Sequence, residues 1–177
     1  MMRNFLGEET FKRGLSNYLK DRAYQEATHQ DLFTFLTQQA RDDGKDIDVH
    51  AVMNTWILQL GYPVVTFHFD RAAGMISMTQ EQFLLDPKSS SQLPPSRFNY
   101  IWEVPVTIAT DLNDQDYWFS PEVTWLNTKT GTITGVPTNA KWVMGNLNAG
   151  MYYRMNYDAD TWTAIQEQLA EDHTVHS

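Results

Sequence analysis

Two hydrophobic periods divide the chain. Phe11, Leu15, Tyr18 and Leu19 recur at helical spacing after Glu8, which predicts an amphipathic helix from about residue 8. Glu8 and Glu9 fall in its first turn, where the helix dipole favours anions. Thr28 with Asp31 three residues on reads as a capping box for a second helix carrying Leu32, Phe35, Leu36 and Ala40. Asp42-Asp43-Gly44 ends it. Asp48 caps a third helix with Val49, Val52, Met53, Trp56, Ile57 and Leu60 on one stripe, stopped by Gly61 and Pro63. Such stripes are in the first instance core-packing faces.

After Pro63 the period becomes two. Val65, Phe67 and Phe69 alternate with Thr66 and His68, Asp70 to Gly74 reads as a turn, and Met75 to Thr79 as the returning strand. Lys88 to Ser96 is a polar, proline-bearing loop. Phe98, Tyr100, Trp102, Val104, Val106 and Ile108 predict one long strand with six apolar side chains on a face. Pro105 cannot donate to a ladder, so that strand lies at an edge or bulges there. Shorter strands are expected at 116–119, 123–126, 142–147 and 151–156. Asp158 caps a last helix with Trp162, Ile165 and Leu169 at i, i+3 and i+7, and residues 171–177 form a fraying tail. The predicted fold is α+β: an N-terminal α-helical segment, an antiparallel β-sandwich and a C-terminal helix. The opening Met1–Leu6 reads as the tail of an uncapped helix, and the last helix has no module to join. Both ends are expected to be cuts from a larger protein.

Composition narrows the partners. Of 177 residues, 13 are Lys or Arg and 22 Asp or Glu, net -9. Residues 1–62 carry net -2 and residues 63–177 net -7. An acidic chain is a poor match for nucleic acid, whose phosphates need a basic face, and for anionic lipid. No apolar run nears the roughly 20 residues of a membrane span, so neither nucleic acid nor direct membrane contact is expected. Cysteine is absent, which removes disulfides, thiolate nucleophiles and cysteine-based metal sites.

Candidate chemistry is sparse. The histidines are His29, His50, His68, His173 and His176, with no H-E-x-x-H among them. His173 and His176, in the tail, read as a surface pair rather than a metal site. Ser89-Ser90-Ser91 lacks a nearby base. Glu8-Glu9, Asp42-Asp43, Asp114/Asp116 and Asp158/Asp160 read as caps and solvated turns. Asp111 to Asp116 offers oxygens but neither the glycine nor the closing glutamate of a calcium loop. The many aromatics read as core. No catalytic, cofactor-binding or metal-ligating residue is assigned.

Several blocks nevertheless resemble a known family. Trp56-Ile57-Leu58-Gln59-Leu60-Gly61-Tyr62-Pro63 resembles the W-x-x-Q-x-G-[FY]-P signature of the zinc aminopeptidases related to aminopeptidase N. Phe83-Leu84-Leu85-Asp86-Pro87 and Phe98-Asn99-Tyr100-Ile101-Trp102-Glu103-Val104-Pro105 are similar to its following strands. Asn146 to Asp158 resembles its N-x-x-x-G-[YF]-[YF]-R-x-N-Y-D run, and Met2 to Phe11 a segment ending L-G-E-E-x-F. The blocks stand in family order, and the second and third are spelled more like the membrane-bound ectoenzymes than the cytosolic branch.

The resemblance implies that residues 1–61 are the C-terminal helices of a thermolysin-like catalytic domain. Residues 62–157 would be its β-sandwich domain and residues 158–177 the first helix of a helical domain. It implies zinc in the full-length enzyme but none in this chain. The family's H-E-x-x-H histidines, distant glutamate, tyrosine and G-x-M-E-N loop all lie upstream of the matched region. The expected function is therefore that of a structural scaffold in a peptidase that removes N-terminal residues, inactive alone. Its partners would be the missing catalytic and helical domains, with peptide substrate for the parent only. The location implied is the extracellular face of the plasma membrane. The alternative is a stand-alone, non-catalytic β-sandwich binding module of the same ancestry.

Overall fold

The caps predicted for three helices form as the side chains require. The computed structural model of the protein describes residues 1–86, 88–89 and 93–172, which form two compact units, Met1–Leu60 and Gly61–Ser177. In the first, α1 (Met2–Leu6) and α2 (Glu8–Asp21) are joined at Gly7. In α3 (His29–Asp42) the Thr28 hydroxyl accepts from Asp31 N–H while the Asp31 carboxylate accepts from Thr28 N–H, a complete capping box. Asp48 caps α4 (Val49–Ile57) by accepting from Ala51 N–H.

The buried face of α2 differs from the predicted stripe. Thr10 and Gly14 are buried, whereas Phe11, Leu15 and Tyr18 are half-buried and Leu19 is exposed. The reason is close approach to α3: a Cβ on Gly14 would lie 2.9 Å from Leu36 Cδ2. Thr10 donates to Asp43 at 2.6 Å and Asn17 to Gln39 at 3.1 Å along the same seam. The stripe of α4 stops early as well. Leu58 is the C-cap and Leu60 is exposed, so Gly61, with φ 82, turns the chain into the next unit rather than ending the helix.

In the second unit β1 (Pro63–Asp70) and β2 (Met75–Gln82) form the predicted antiparallel hairpin, Phe67 opposite Met78. Gly74 closes its turn at φ 59, its Cβ position 2.6 Å from Val136 O. The four-stranded sheet has the order β6-β2-β1-β8, with β6 at Thr130–Thr134 and β8 at Arg154–Tyr157. Its inner face buries Val65, Phe67, Ile76 and Met78. Two short pairs supply further layers: β3 (Val104–Val106) with β5 (Thr124–Leu126), and β4 (Ile108–Thr110) with β7 (Val143–Gly145). Gly145 is where β7 meets the inner face, its Cβ position 2.9 Å from Phe67 and 2.7 Å from Met155. Asp158 caps α6 (Ala159–Glu171). The α+β class is as expected.

Five details depart from the sequence pattern. The long strand begins only at Val104, because Asn99 and Tyr100 take positive φ in a turn where Ile101 N–H bonds Phe98 O. It breaks at Thr107, where the chain leaves β5 and pairs β7, so Val104 to Thr107 are buried without alternation. Pro105 sits in a two-stranded pair, where each strand is an edge. Residues 115–119 are α5 (Gln115–Phe119), not a strand, because Asp114 accepts Tyr117 N–H as an N-cap. The polar strand β6 carried no apolar signal. Finally, β8 runs parallel to β1, the one parallel pair among the described strands. Pro87, Ser90 to Gln92 of the expected loop, and tail residues 173–177 lie outside the described residues.

Candidate functional site

The most elaborate polar constellation in the sheet unit closes backbone rather than opening a pocket. Gln80 follows Ile76 and Met78 on the inward parity of β2 and is 1% exposed. Its amide nitrogen donates to the carbonyls of Trp102 (2.9 Å), Leu126 (3.2 Å) and Thr128 (2.9 Å), and its oxygen accepts from Trp102 N–H (2.9 Å). One side chain thus satisfies the backbone leading into β3 and the end of β5. A buried peptide group without a partner costs about 1–3 kcal/mol, so the clamp decides which strands can lie against β2.

A second closure surrounds Asn146. At φ 52 its amide nitrogen donates to the carbonyls of Met151 and Tyr153 and its oxygen accepts from Met151 N–H. Asparagine tolerates this left-handed backbone better than most residues. Thr107, at the break between β3 and β4, accepts from Leu147 N–H through its hydroxyl. The Tyr157 hydroxyl accepts from Gly145 N–H at 2.9 Å. Burial pushes the Tyr157 phenol up, against the downward pull of that bond, and burial also raises the Tyr153 phenol. Burial likewise raises Glu103. Phenols buried this way stay neutral at physiological pH, and that of Tyr157 serves as a structural acceptor.

The histidines predicted as weak candidates are dispersed. His29 opens α3 and His50 lies in the first turn of α4; Gln30 bridges them at 2.9 and 2.7 Å, and both rings meet Phe33 edge-on. His68 is on the outer face of β1, opposite the aromatics as predicted, with Nδ1 3.0 Å from Asp158. His173 and His176 lie outside the described residues, as do Ser90 and Ser91; Ser89 donates to Asp86 O. The oxygens of the Asp111–Asp116 stretch serve backbone: Asp111 accepts from Lys141 N–H, Asn113 from Thr110 N–H and Asp114 from Tyr117 N–H. Among the described residues no group of three or more His, Asp or Glu is placed to hold a metal ion. The described residues thus offer no ligand set for the zinc of the resembled family.

One open cleft, about 540 Å3, lies between the end of β1 and α6, lined by His68, Asp70, Arg71, Asp160, Thr163 and Glu167. Its charges are mixed and it converges on no nucleophile. A cluster at the other end of the sheet is equally structural. Arg154 lies 4.1 Å over Phe83 and 5.7 Å over Tyr62, which stack on each other at 5.3 Å. Those three residues flank β8, β2 and β1. The sequence did hold a signal for Gln80, the polar residue next in the inward series 76, 78, 80; Asn146 and Tyr157 were visible only as motif letters.

Fold and polar groups together define an α+β scaffold, in which polar side chains hold irregular backbone. Residues 1–56 match the peptidase family M1 domain. The chain is 40% identical to aminopeptidase N of Homo sapiens over 177 residues, 98% of this chain and 17% of that protein. It is 38% identical to aminopeptidase N of Canis lupus familiaris over 179 residues, 99% of this chain and 17% of the relative. It is 33% identical to the thyrotropin-releasing hormone-degrading ectoenzyme of Rattus norvegicus over 181 residues, all of this chain and 17% of the relative. The chain belongs to the aminopeptidase N family. It spans about 17% of the length of these relatives.

Proposed function

We propose that this chain is the scaffold segment of a zinc metallo-aminopeptidase that removes N-terminal residues from peptides. In this reading residues 1–61 are the last helices of the catalytic domain, residues 62–157 the β-sandwich domain and residues 158–177 the first helix of a helical domain. Its partners are the catalytic and helical domains of the parent, and zinc and peptide belong to the parent. The observation that carries this is the 40% identity over 98% of the chain, a span that takes in both the helices and the strands. Two boundaries support it: the family match stops at residue 56, next to the end of α4 at Ile57, and the compact units divide after Leu60. No helix among the described residues is long and apolar enough to cross a membrane. The ectoenzyme relatives favour the extracellular face of the plasma membrane for the parent.

The test is the purified 177-residue chain, assayed for zinc by metal analysis and for hydrolysis of alanine p-nitroanilide. Neither stoichiometric zinc nor turnover is expected. One zinc per chain, or turnover that survives repeated purification, overturns the scaffold reading. An in-frame H-E-x-x-H upstream of Met1 in the transcript is expected. A natural stop codon there would favour the stand-alone module instead.

A further inference from the structure

The two edges of the four-stranded sheet are unlike. On one side β8 carries Arg154 and is followed by Asp158, and charge at an edge discourages a further strand. On the other, β6 reads Thr-Gly-Thr-Ile-Thr, with neither charge nor proline. Its free groups follow from the ladder. Gln80 N–H donates to Lys129 O, which sets the phase of the alternating bonds. Gly131 and Ile133, opposite Met78 and Ile76, therefore exchange their bonds with β2. Thr132 and Thr134 turn N–H and C=O away from β2, and among the described residues no hydrogen bond closes them.

Beside this edge the layers do not close. A cleft of about 430 Å3 is walled by Ile108, Leu112, Tyr117, Ile133 and Val136, and Thr134 of β6 lines it too. Ile133 has the inward parity of Ile76, yet it is only half-buried, as is Ile108, and Leu112 is 50% exposed. In the second layer β5 pairs with β3 and β4 with β7, so neither bonds β6. Among the described residues lining the cleft, Glu122 alone is charged, and it pairs with no described cation. We infer that β6 is a peptide-binding edge, to which an extended peptide with alternate apolar side chains and one Lys or Arg adds as a fifth strand.

Three features define the occupant. The open N–H and C=O groups of Thr132 and Thr134 match an extended backbone, which presents a donor and an acceptor at every second residue. The half-buried Ile108 and Ile133 take apolar side chains of one parity, because those of the other parity point to the opposite face. Glu122 selects a cation on the cleft side, and the net charge of -7 over residues 63–177 draws a basic peptide in. The same charge separates this partner from a second copy of the chain. A copy pairing β6 with β6 would bring its own uncharged edge but also its own Glu122 and net -7, and like charges oppose that approach.

Titration of the full 177-residue chain with the peptide acetyl-Thr-Val-Thr-Arg-Thr-Val-Thr-amide, followed by amide resonances and their exchange, tests this. Exchange of the Thr132 and Thr134 amides is expected to slow about tenfold at saturation, while Gly131 and Ile133, already bonded to β2, change little. The same peptide with Glu in place of Arg is expected to bind about fivefold more weakly. Glu122→Lys is expected to reverse that order. Thr132→Pro, which spares the β2 ladder, is expected to weaken both peptides about tenfold. No resonance change up to the solubility limit of the peptide, equal affinity for the two peptides, or unimpaired binding by Thr132→Pro overturns the site. Protection of Thr132 and Thr134 that grows with protein concentration in the absence of peptide assigns the edge to a second copy and overturns it as well.

Discussion

The helical unit and the sheet unit solve the same problem, unpaired backbone, in opposite ways. In the helical unit the solution is largely local, with Lys45 to Leu6 O and Val49 N–H to the Thr37 hydroxyl as the longer reaches. Thr28, Asp31 and Asp48 reach backbone three residues away, and ion pairs such as Lys12 with Glu8 lie on the surface. In the sheet unit it is long-range. Gln80 reaches carbonyls at 102, 126 and 128, Thr107 reaches 147 and Tyr157 reaches 145. Short strands that change partners leave groups no ladder can satisfy, so buried side chains substitute for it. The lesson is that helix stability is spread over exchangeable surface caps, whereas the sheet unit depends on a few buried polar residues.

The comparison breaks most readily at Gln80. Gln80→Leu keeps the volume but removes the bonds to Trp102 N–H and to three carbonyls, and is expected to cost about 3 kcal/mol or more. Urea unfolding followed by sheet-unit amide exchange checks it; a loss below 1 kcal/mol would mean the clamp is dispensable. Next comes Gly145→Ala, whose methyl would sit 2.7 Å from Met155 and 2.9 Å from Phe67. Overpacking of this kind costs about 1–3 kcal/mol, read as a lowered Tm.

Tyr157→Phe sharpens the contrast through pH. It orphans Gly145 N–H, at about 1–2 kcal/mol. Burial raises the folded phenol, so its stabilising contribution is complete below the ordinary value near 10 and lost as pH rises beyond it. The variant should therefore show a shallower fall in Tm between pH 9 and 11 than wild type. The helical unit should respond at the other end. The Thr28 N–H beside Asp31 and the Thr10 hydroxyl beside Asp43 hold both carboxyls below their ordinary range. Their contribution is present above that range and lost as pH falls through the folded values. Acid titration of α3 amide resonances checks this, and alkaline loss in α3 would contradict it.

The smallest effect is expected at the box itself. Thr28→Ala should cost about 1 kcal/mol, confined to α3 in site-resolved exchange. A loss as large as that of Gln80→Leu would erase the distinction between the two units.

How much was legible follows the same division. The capping box at Thr28, the Asp48 and Asp158 caps and the β1–β2 hairpin were read directly, because a cap and a two-residue period act within a few positions. The stripe on α2 misled, because Gly14 rather than the larger apolar side chains faces Leu36. Residues 98–108 looked like one strand because apolar alternation does not show a partner change at Thr107. The Asp114 cap was read as a polar turn while the helix it starts was read as a strand, aromatic residues at 117–119 outweighing a single aspartate. No catalytic group was assigned, and the aminopeptidase N relationship was carried by ordered motif blocks rather than by any site.

By itself, then, the sequence determined where α2, α3, α4 and α6 begin, where the period changes at residues 61–63, and which family the chain belongs to. These depend on neighbours within one or two turns, or on the order of short blocks. Only the tertiary structure decided that β8 lies parallel to β1, that β3 and β4 part company, and that Gln80 and Asp158 are its junctions. Those choices hinge on groups 20 to 90 residues apart finding buried hydrogen-bond partners, a condition that no local pattern encodes.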